Sequence, residues 1–137
     1  MVKKKQTGTG LRGMVAGETA LCTVGKAGHG LTYRGYNIDV LADNALFEEV
    51  AYLLLYGRLP DLRQLKDYQK RLQGMRSLPD ALKEVLERIP ADAHPMDVLR
   101  TGCAMLGTLE TEVDFSHQHD AIDRMVAVFP SIMCYWY

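Results

Sequence analysis

Gly8, Gly10 and Gly13 spell GxGxxG, the pattern that lets a backbone approach a dinucleotide pyrophosphate at the start of a helix. That chemistry requires a buried strand before the glycines and a helix after them. Residues 3–7 form no hydrophobic strand and no helical period follows Gly13, so a flexible leader over 1–18 is the expectation. His117 and His119, beside Asp114 and Asp120, offer imidazole and carboxylate donors of the kind that hold zinc or iron. An HxH pair is a weak metal signature, and Ser116 as a helix cap followed by a polar first turn accounts for the same letters, so no metal is expected. His94 precedes Pro95 at a helix start, where its ring can bond free amides or face a ligand, and the first role is the simpler one. His29 lies in a glycine-rich turn and reads as solvated. No Ser/His/Asp or Cys/His constellation can be assembled, and no carboxylate pair stands out from the ordinary charged helix faces.

The elements that would position these groups are mostly helical. Residues 20–24 and 31–34 read as two short strands, with Gly25, Gly28 and Gly30 between them as turn positions, giving a small amino-terminal β-hairpin. Helical spacing then takes over. Phe47, Val50, Ala51, Leu54 and Leu55 share a face, and Gly57 followed by Pro60 stops that helix. Leu62, Leu65, Tyr68 and Leu72 mark a second, entered through Pro60 and Asp61; Leu82, Val85, Leu86 and Ile89 mark a third, opening near Ser77 and Pro79. A fourth begins at Pro95 with Met96, Leu99, Cys103 and Leu106 on one face, and Gly107 is its expected end. The fifth starts near Ser116 and carries Ile122, Met125, Val126, Phe129, Met133 and Trp136, with a kink expected at Pro130. Residues 132–137 are apolar and aromatic, without a cap or a charge, so the expectation is a chain that stops inside a longer helix and leaves Tyr135, Trp136 and Tyr137 without a partner surface.

Composition narrows the function classes. A chain of 137 residues, 47% hydrophobic and 24% charged, has ordinary globular composition, and at that size it buries roughly two-thirds of its unfolded surface. Sixteen basic and seventeen acidic side chains leave a net charge of -1, which offers a nucleic acid no attractive field; Lys3, Lys4 and Lys5 read as a frayed terminus. No run of apolar residues is long enough for a membrane span and no secretory signal opens the chain, so the cytoplasm is the expected compartment. Cys22, Cys103 and Cys134 are odd in number and widely spaced, which fits buried thiols in a reducing environment.

Function enters by resemblance. Residues 10–13 (GLRG), 16–26 (AGETALCTVGK), 31–38 (LTYRGYNI) and 47–60 (FEEVAYLLLYGRLP) are similar to the opening of the 2-methylcitrate synthases of the citrate synthase family. Residues 94–102 (HPMDVLRTG) resemble that family's HPM helix. The resemblance implies a mainly α, citrate synthase-like helical domain with a small amino-terminal β-hairpin, truncated, in which residues 19–137 are the first part of the large domain. It implies an acyltransferase that condenses propionyl-CoA with oxaloacetate and then hydrolyses the thioester, in propionate catabolism. The enzyme would be a homodimer without a cofactor, since the acyl-CoA is a substrate.

In such enzymes an aspartate removes the α-proton while one histidine stabilises the enol and another serves the oxaloacetate carbonyl. None of His29, His94, His117 or His119 matches those motifs, so no catalytic residue is expected in this chain and the chain alone is expected to be inactive. Arg12 resembles an arginine that contacts CoA phosphate, for which a planar guanidinium is suited. Arg71 lies where the subfamily has a basic residue tied to substrate binding; a solvated helix face is the bland account of the same residue. Leu46 stands where relatives have the Thr or Ser of a capping box with Glu49, so Asn44 is expected to cap instead. The rival readings are a citrate synthase using acetyl-CoA and a free-standing helical interaction domain.

Overall fold

The computed structural model describes residues 14–15, 17–25 and 30–137. The chain divides into two units, residues 1–45 and residues 46–137. In the first, strands β1 (Cys22–Thr23), β2 (Thr32–Tyr33) and β3 (Tyr36–Asn37) form an antiparallel sheet in the order β1-β2-β3. Cys22 faces Tyr33 across the first pairing, and Thr32 faces Asn37 across the second. The expected hairpin is present, but it carries a third strand. Arg34 and Gly35 have φ of 49° and 90°, the pair of left-handed residues that a two-residue type I′ hairpin turn demands. Gly25 has the positive φ of a turn position, 62°, while Gly28 and His29 lie outside the described residues. Helix α1 (Ile38–Asn44) leaves β3 directly, with the Asn37 side chain accepting from the Asp39 and Val40 amides at 2.7 and 3.4 Å. It escaped the periodicity reading because seven residues make two turns and only Leu41 is buried.

The second unit holds α2 (Phe47–Tyr56), α3 (Leu62–Gly74), α4 (Asp80–Glu87), α5 (Pro95–Leu109), a 3-10 turn (Phe115–His117) and α6 (Gln118–Trp136). Each end has a local cause. Gly57 adopts φ of 80° and returns its N–H to the Leu53 carbonyl, the left-handed stop that glycine alone makes without strain. Asp61 accepts from the Gln64 amide at 2.8 Å while Gln64 accepts from the Asp61 amide at 3.0 Å, a complete capping box. At α2, Glu49 keeps its half of such a box by accepting the Leu46 amide at 2.7 Å. Asn44 does not cap α2; its side chain donates to the Val40 carbonyl within α1. The 3-10 turn before α6 is opened by Asp114, which accepts the Ser116 amide at 2.7 Å, so the cap expected of Ser116 falls two residues earlier. Helix α5 runs through Gly107 and ends at Glu110, whose amide reaches the Leu106 carbonyl at 2.8 Å. Gly107 is a helical residue, because its φ is not positive and a glycine ends a helix only where it turns left-handed.

Two apolar clusters hold this unit together. The larger joins α4, α5 and α6 through Leu82, Leu86, Val98, Leu106, Val128 and Ile132. The smaller seats α3 on α6 through Tyr68, Leu72 and Ala127, flanked by Ala51 and Tyr52 of α2. Burying one such aliphatic side chain stabilises by about 1.5–3 kcal/mol, so the larger cluster carries most of the apolar stabilisation.

The buried faces are rotated from those the sequence suggests. In α5 the inward positions are Val98, Gly102 and Leu106, and Met96 is exposed. In α6 they are Asp123, Ala127, Val128 and Ile132. The reason is the closeness of the helices: a Cβ built on Gly102 would lie 3.0 Å from both Ile132 Cδ1 and Cγ2. Small residues therefore occupy the line of contact and bulkier ones flank it, the reverse of a ranking by hydrophobic bulk. Ile132 belongs to the larger cluster and Trp136 packs against it, contrary to the expectation that Trp136 lacks a partner surface. The Tyr135 hydroxyl donates to Glu87 at 2.6 Å; Tyr137 is fully exposed. The described residues are thus mainly α with one small antiparallel sheet.

Candidate functional site

Asp123 is the one charged residue buried among the described residues, with no solvent-accessible surface. It sits on the inward stripe of α6, where a lone carboxylate would be costly unless fully hydrogen bonded. Three donors from two other helices supply that. From α3 come Tyr68, whose hydroxyl donates to Oδ1 at 3.0 Å, and Arg71, whose Nε donates to Oδ2 at 2.9 Å. From the end of α2, the Tyr56 hydroxyl donates to Oδ2 at 3.2 Å. Spacing explains the convergence: Tyr68 and Arg71 stand three apart on one helix face, and Tyr56 is the last residue before the Gly57 stop. Arg71 also reaches back one turn of α6, its Nη2 donating to Asp120 Oδ1 at 2.5 Å.

Aromatic rings wall this centre. Tyr52 lies 4.3 Å from Tyr56 and meets Tyr68 edge-on at 5.4 Å, and His119 stacks on Tyr56 at 5.4 Å. Beside them an open cleft of about 250 Å³ is lined by Tyr52, Tyr56, Gln64, Asp67, Tyr68 and Arg71. Burial, then the hydrogen bond to Asp123, pushes the Tyr68 hydroxyl well above its usual pKa, and burial followed by the Asp123 charge raises Tyr56 in the same direction. Both phenols therefore stay protonated and remain donors at neutral pH. The Asp120 hydrogen bond is the chief cause of an upward shift at Arg71, which keeps its charge. With no exposed surface and both oxygens accepting, Asp123 cannot reach a substrate as a base in this conformation. The cluster is built to hold three helices.

A second polar clamp lies further along α6. Arg124 grips Glu110 with two parallel bonds, Nε to Oε2 at 2.8 Å and Nη2 to Oε1 at 2.6 Å. Its Nη1 donates to the carbonyls of Met75 and Ser77, fixing the link between α3 and α4. The bidentate geometry is the strong form of this pair.

Of the residues singled out from the sequence, Arg71 meets Asp120 and His117 meets Asp114. Arg71 joins the Asp123 centre while its side chain stays 40% exposed on the face of α3. Arg12 lies outside the described residues. His94 caps α5, its Nδ1 accepting the Met96 amide at 3.2 Å. His117 turns to Asp114, with 3.2 Å between Nδ1 and Oδ1, while His119 turns to Tyr56. No group of three metal-ligating side chains stands together among the described residues. Sequence reasoning missed Asp123 and Arg124; the available signal was a pair of charges in the middle of an apolar α6.

With this geometry, the comparison with known proteins has a clear outcome. Residues 10–137 match the family model described as citrate synthase, C-terminal domain. The chain belongs to the citrate synthase family. The 2-methylcitrate synthase of Shewanella oneidensis is 69% identical over 134 residues, covering 98% of this chain and 36% of that protein. Among solved structures, the citrate synthase of Thermoplasma acidophilum, in a ternary complex with carboxymethyl coenzyme A and oxaloacetate, superposes with a TM-score of 0.83 at 26% identity, over 93% of this chain and 34% of that one. That of Pyrobaculum aerophilum gives 0.83 at 31% identity, over all of this chain and 40% of its own. The chain thus spans little more than a third of the length of these citrate synthase family relatives.

Proposed function

We propose that the chain is part of a 2-methylcitrate synthase, an acyltransferase that joins propionyl-CoA to oxaloacetate. The identity of 69% with the Shewanella oneidensis enzyme over 98% of the chain carries this reading. In the reaction, a carbon–carbon bond forms between the α-carbon of the propionyl thioester and the oxaloacetate carbonyl carbon. The α-proton leaves to a base, the carbonyl oxygen becomes a hydroxyl, and water then cleaves the thioester to release CoA thiol.

Nothing in the Asp123 centre is free to take that proton, so the chain serves as helical scaffold and the reacting groups come from elsewhere in a longer polypeptide. On this reading the chain alone has no turnover. Arg12 contacts CoA phosphate. Arg71, with two of its nitrogens held by carboxylates, serves substrate binding by positioning α3 against α6. A cytoplasmic homodimer in propionate catabolism completes the reading; among the described residues no helix is long and apolar enough to cross a membrane.

The test is a chimera in which this chain replaces the matching 134 residues of the Shewanella oneidensis enzyme. Thiol release is expected with oxaloacetate and propionyl-CoA, more efficiently than with acetyl-CoA, and Arg12→Ala should raise the KM for the CoA ester. A folded chimera that is inactive, or that prefers acetyl-CoA, overturns the assignment; an unchanged KM removes the role of Arg12. Saturable turnover by the 137-residue chain alone would show that the reacting groups are within it.

A further inference from the structure

We infer that α2 and α3 form a separable hairpin latched onto α6 by the buried Asp123 carboxylate, able to release while α4 and α5 remain folded. The inference is independent of the enzymatic assignment. The apolar stabilisation of this unit is uneven. The larger cluster draws its buried residues from α4, α5 and α6 alone, whereas the hairpin is seated on α6 by Tyr68, Leu72 and Ala127. The polar contribution is concentrated the other way. Tyr56, Tyr68 and Arg71 all come from the hairpin, and all end on Asp123.

Removing the carboxylate leaves two phenols and a guanidinium without their shared acceptor at the seam between hairpin and α6. Of the three donors Tyr68 is the buried one, Tyr56 and Arg71 being 39% and 40% exposed and Arg71 keeping its bond to Asp120, so the loss falls chiefly on the stranded Tyr68 hydroxyl. The damage is local because no donor from α4 or α5 reaches Asp123. Arg124 holds the Met75 and Ser77 carbonyls at the start of the α3–α4 link, which leaves a pinned point about which the hairpin can swing. Cooperative units of this size, opening below the global unfolding free energy, are a general property of small helical proteins.

Hydrogen exchange read by mass spectrometry on the 137-residue chain tests this, comparing wild type, Asp123→Ala, Tyr68→Phe and Val98→Ala. In Asp123→Ala, amides of α2 and α3 should lose protection by about a hundredfold or more, while those of α4 and α5 change by less than about threefold. Tyr68→Phe, which removes one donor and keeps the ring, should give the same localisation at roughly a tenfold loss. Val98→Ala, in the larger cluster, should weaken protection in every helix. A uniform loss across the helices in Tyr68→Phe, failure of Asp123→Ala to fold at all, or unaltered exchange in α2 and α3, overturns the latch.

Discussion

The crossing of α5 and α6 at Gly102 offers a sharp test of the packing argument. Gly102 is an interior residue of α5, where alanine is intrinsically favoured over glycine by about 1 kcal/mol. Propensity alone therefore says that Gly102→Ala stabilises. Packing says the opposite, because the new methyl would stand 3.0 Å from Ile132 Cδ1, 3.0 Å from Cγ2 and 3.5 Å from Cγ1. Comfortable carbon–carbon contact lies at about 3.5–4.0 Å. Ile132 has no exposed surface into which it can retreat, and a β-branched side chain in a helix is held near one χ1 value.

Overpacking of this kind costs about 1–3 kcal/mol, so the net expectation is destabilisation by about 1 kcal/mol. Gly107, five residues on in the same helix, supplies the control. A Cβ there meets nothing within 4 Å, so Gly107→Ala should stabilise by about 0.5–1 kcal/mol. Urea unfolding followed by far-ultraviolet circular dichroism measures both. Adding Ile132→Val deletes Cδ1, one of the two closest contacts, and should recover about 1 kcal/mol of the Gly102→Ala loss in a double-mutant cycle. If Gly102→Ala is at least as stable as wild type, or the cycle is additive within about 0.3 kcal/mol, the close-crossing account is wrong.

Two further outcomes are expected. The hydrogen bond from Arg124 is the chief cause holding the Glu110 carboxyl below its ordinary 4.5. A depressed carboxylate contributes stability above its unfolded pKa and loses it as pH falls through the folded one; stability should therefore fall below about pH 4.5, and Glu110→Gln should flatten that acid-side slope, an unaltered slope arguing against the pair. Gly57→Ala forces a side chain into φ of 80° with open space around it, so it should cost about 1–2 kcal/mol from backbone strain alone. An equally stable variant by urea unfolding would mean that the α2–α3 turn relaxes.

Legibility in the sequence followed the physics of each signal. Helices α2 to α6 were readable because apolar side chains repeat at 3.6-residue spacing and because Gly57, Asp61 and Pro95 carry their own start and stop chemistry. The sheet was half readable: glycines mark turns, but strands of two residues are too short for alternation, and the Arg34–Gly35 turn needs a positive φ at an arginine. Helix α1 was hidden because it buries one residue. The candidate centre was the least readable. Arg71 stood out as a basic residue on a helix face, yet its partners Asp120 and Asp123 lie 49 and 52 positions away, and nothing local joins them. Asp123 carries no signal of its own in the sequence, because a bulk-ranked stripe through α6 places Ile122 and Met125 inward, whereas in the fold both are exposed and Asp123 is buried.

Pro130 lies inside α6, between Val128 and Ile132 of the larger cluster and beyond the polar centre at Asp123. Having no N–H, it leaves the Val126 carbonyl without the donor four residues on that every regular turn supplies. The long helix therefore has one missing rung, yet it runs without a break from Gln118 to Trp136. Val128 on one side of the proline and Ile132 on the other sit in the same apolar cluster, so side-chain packing across the gap supplies what the absent backbone bond does not.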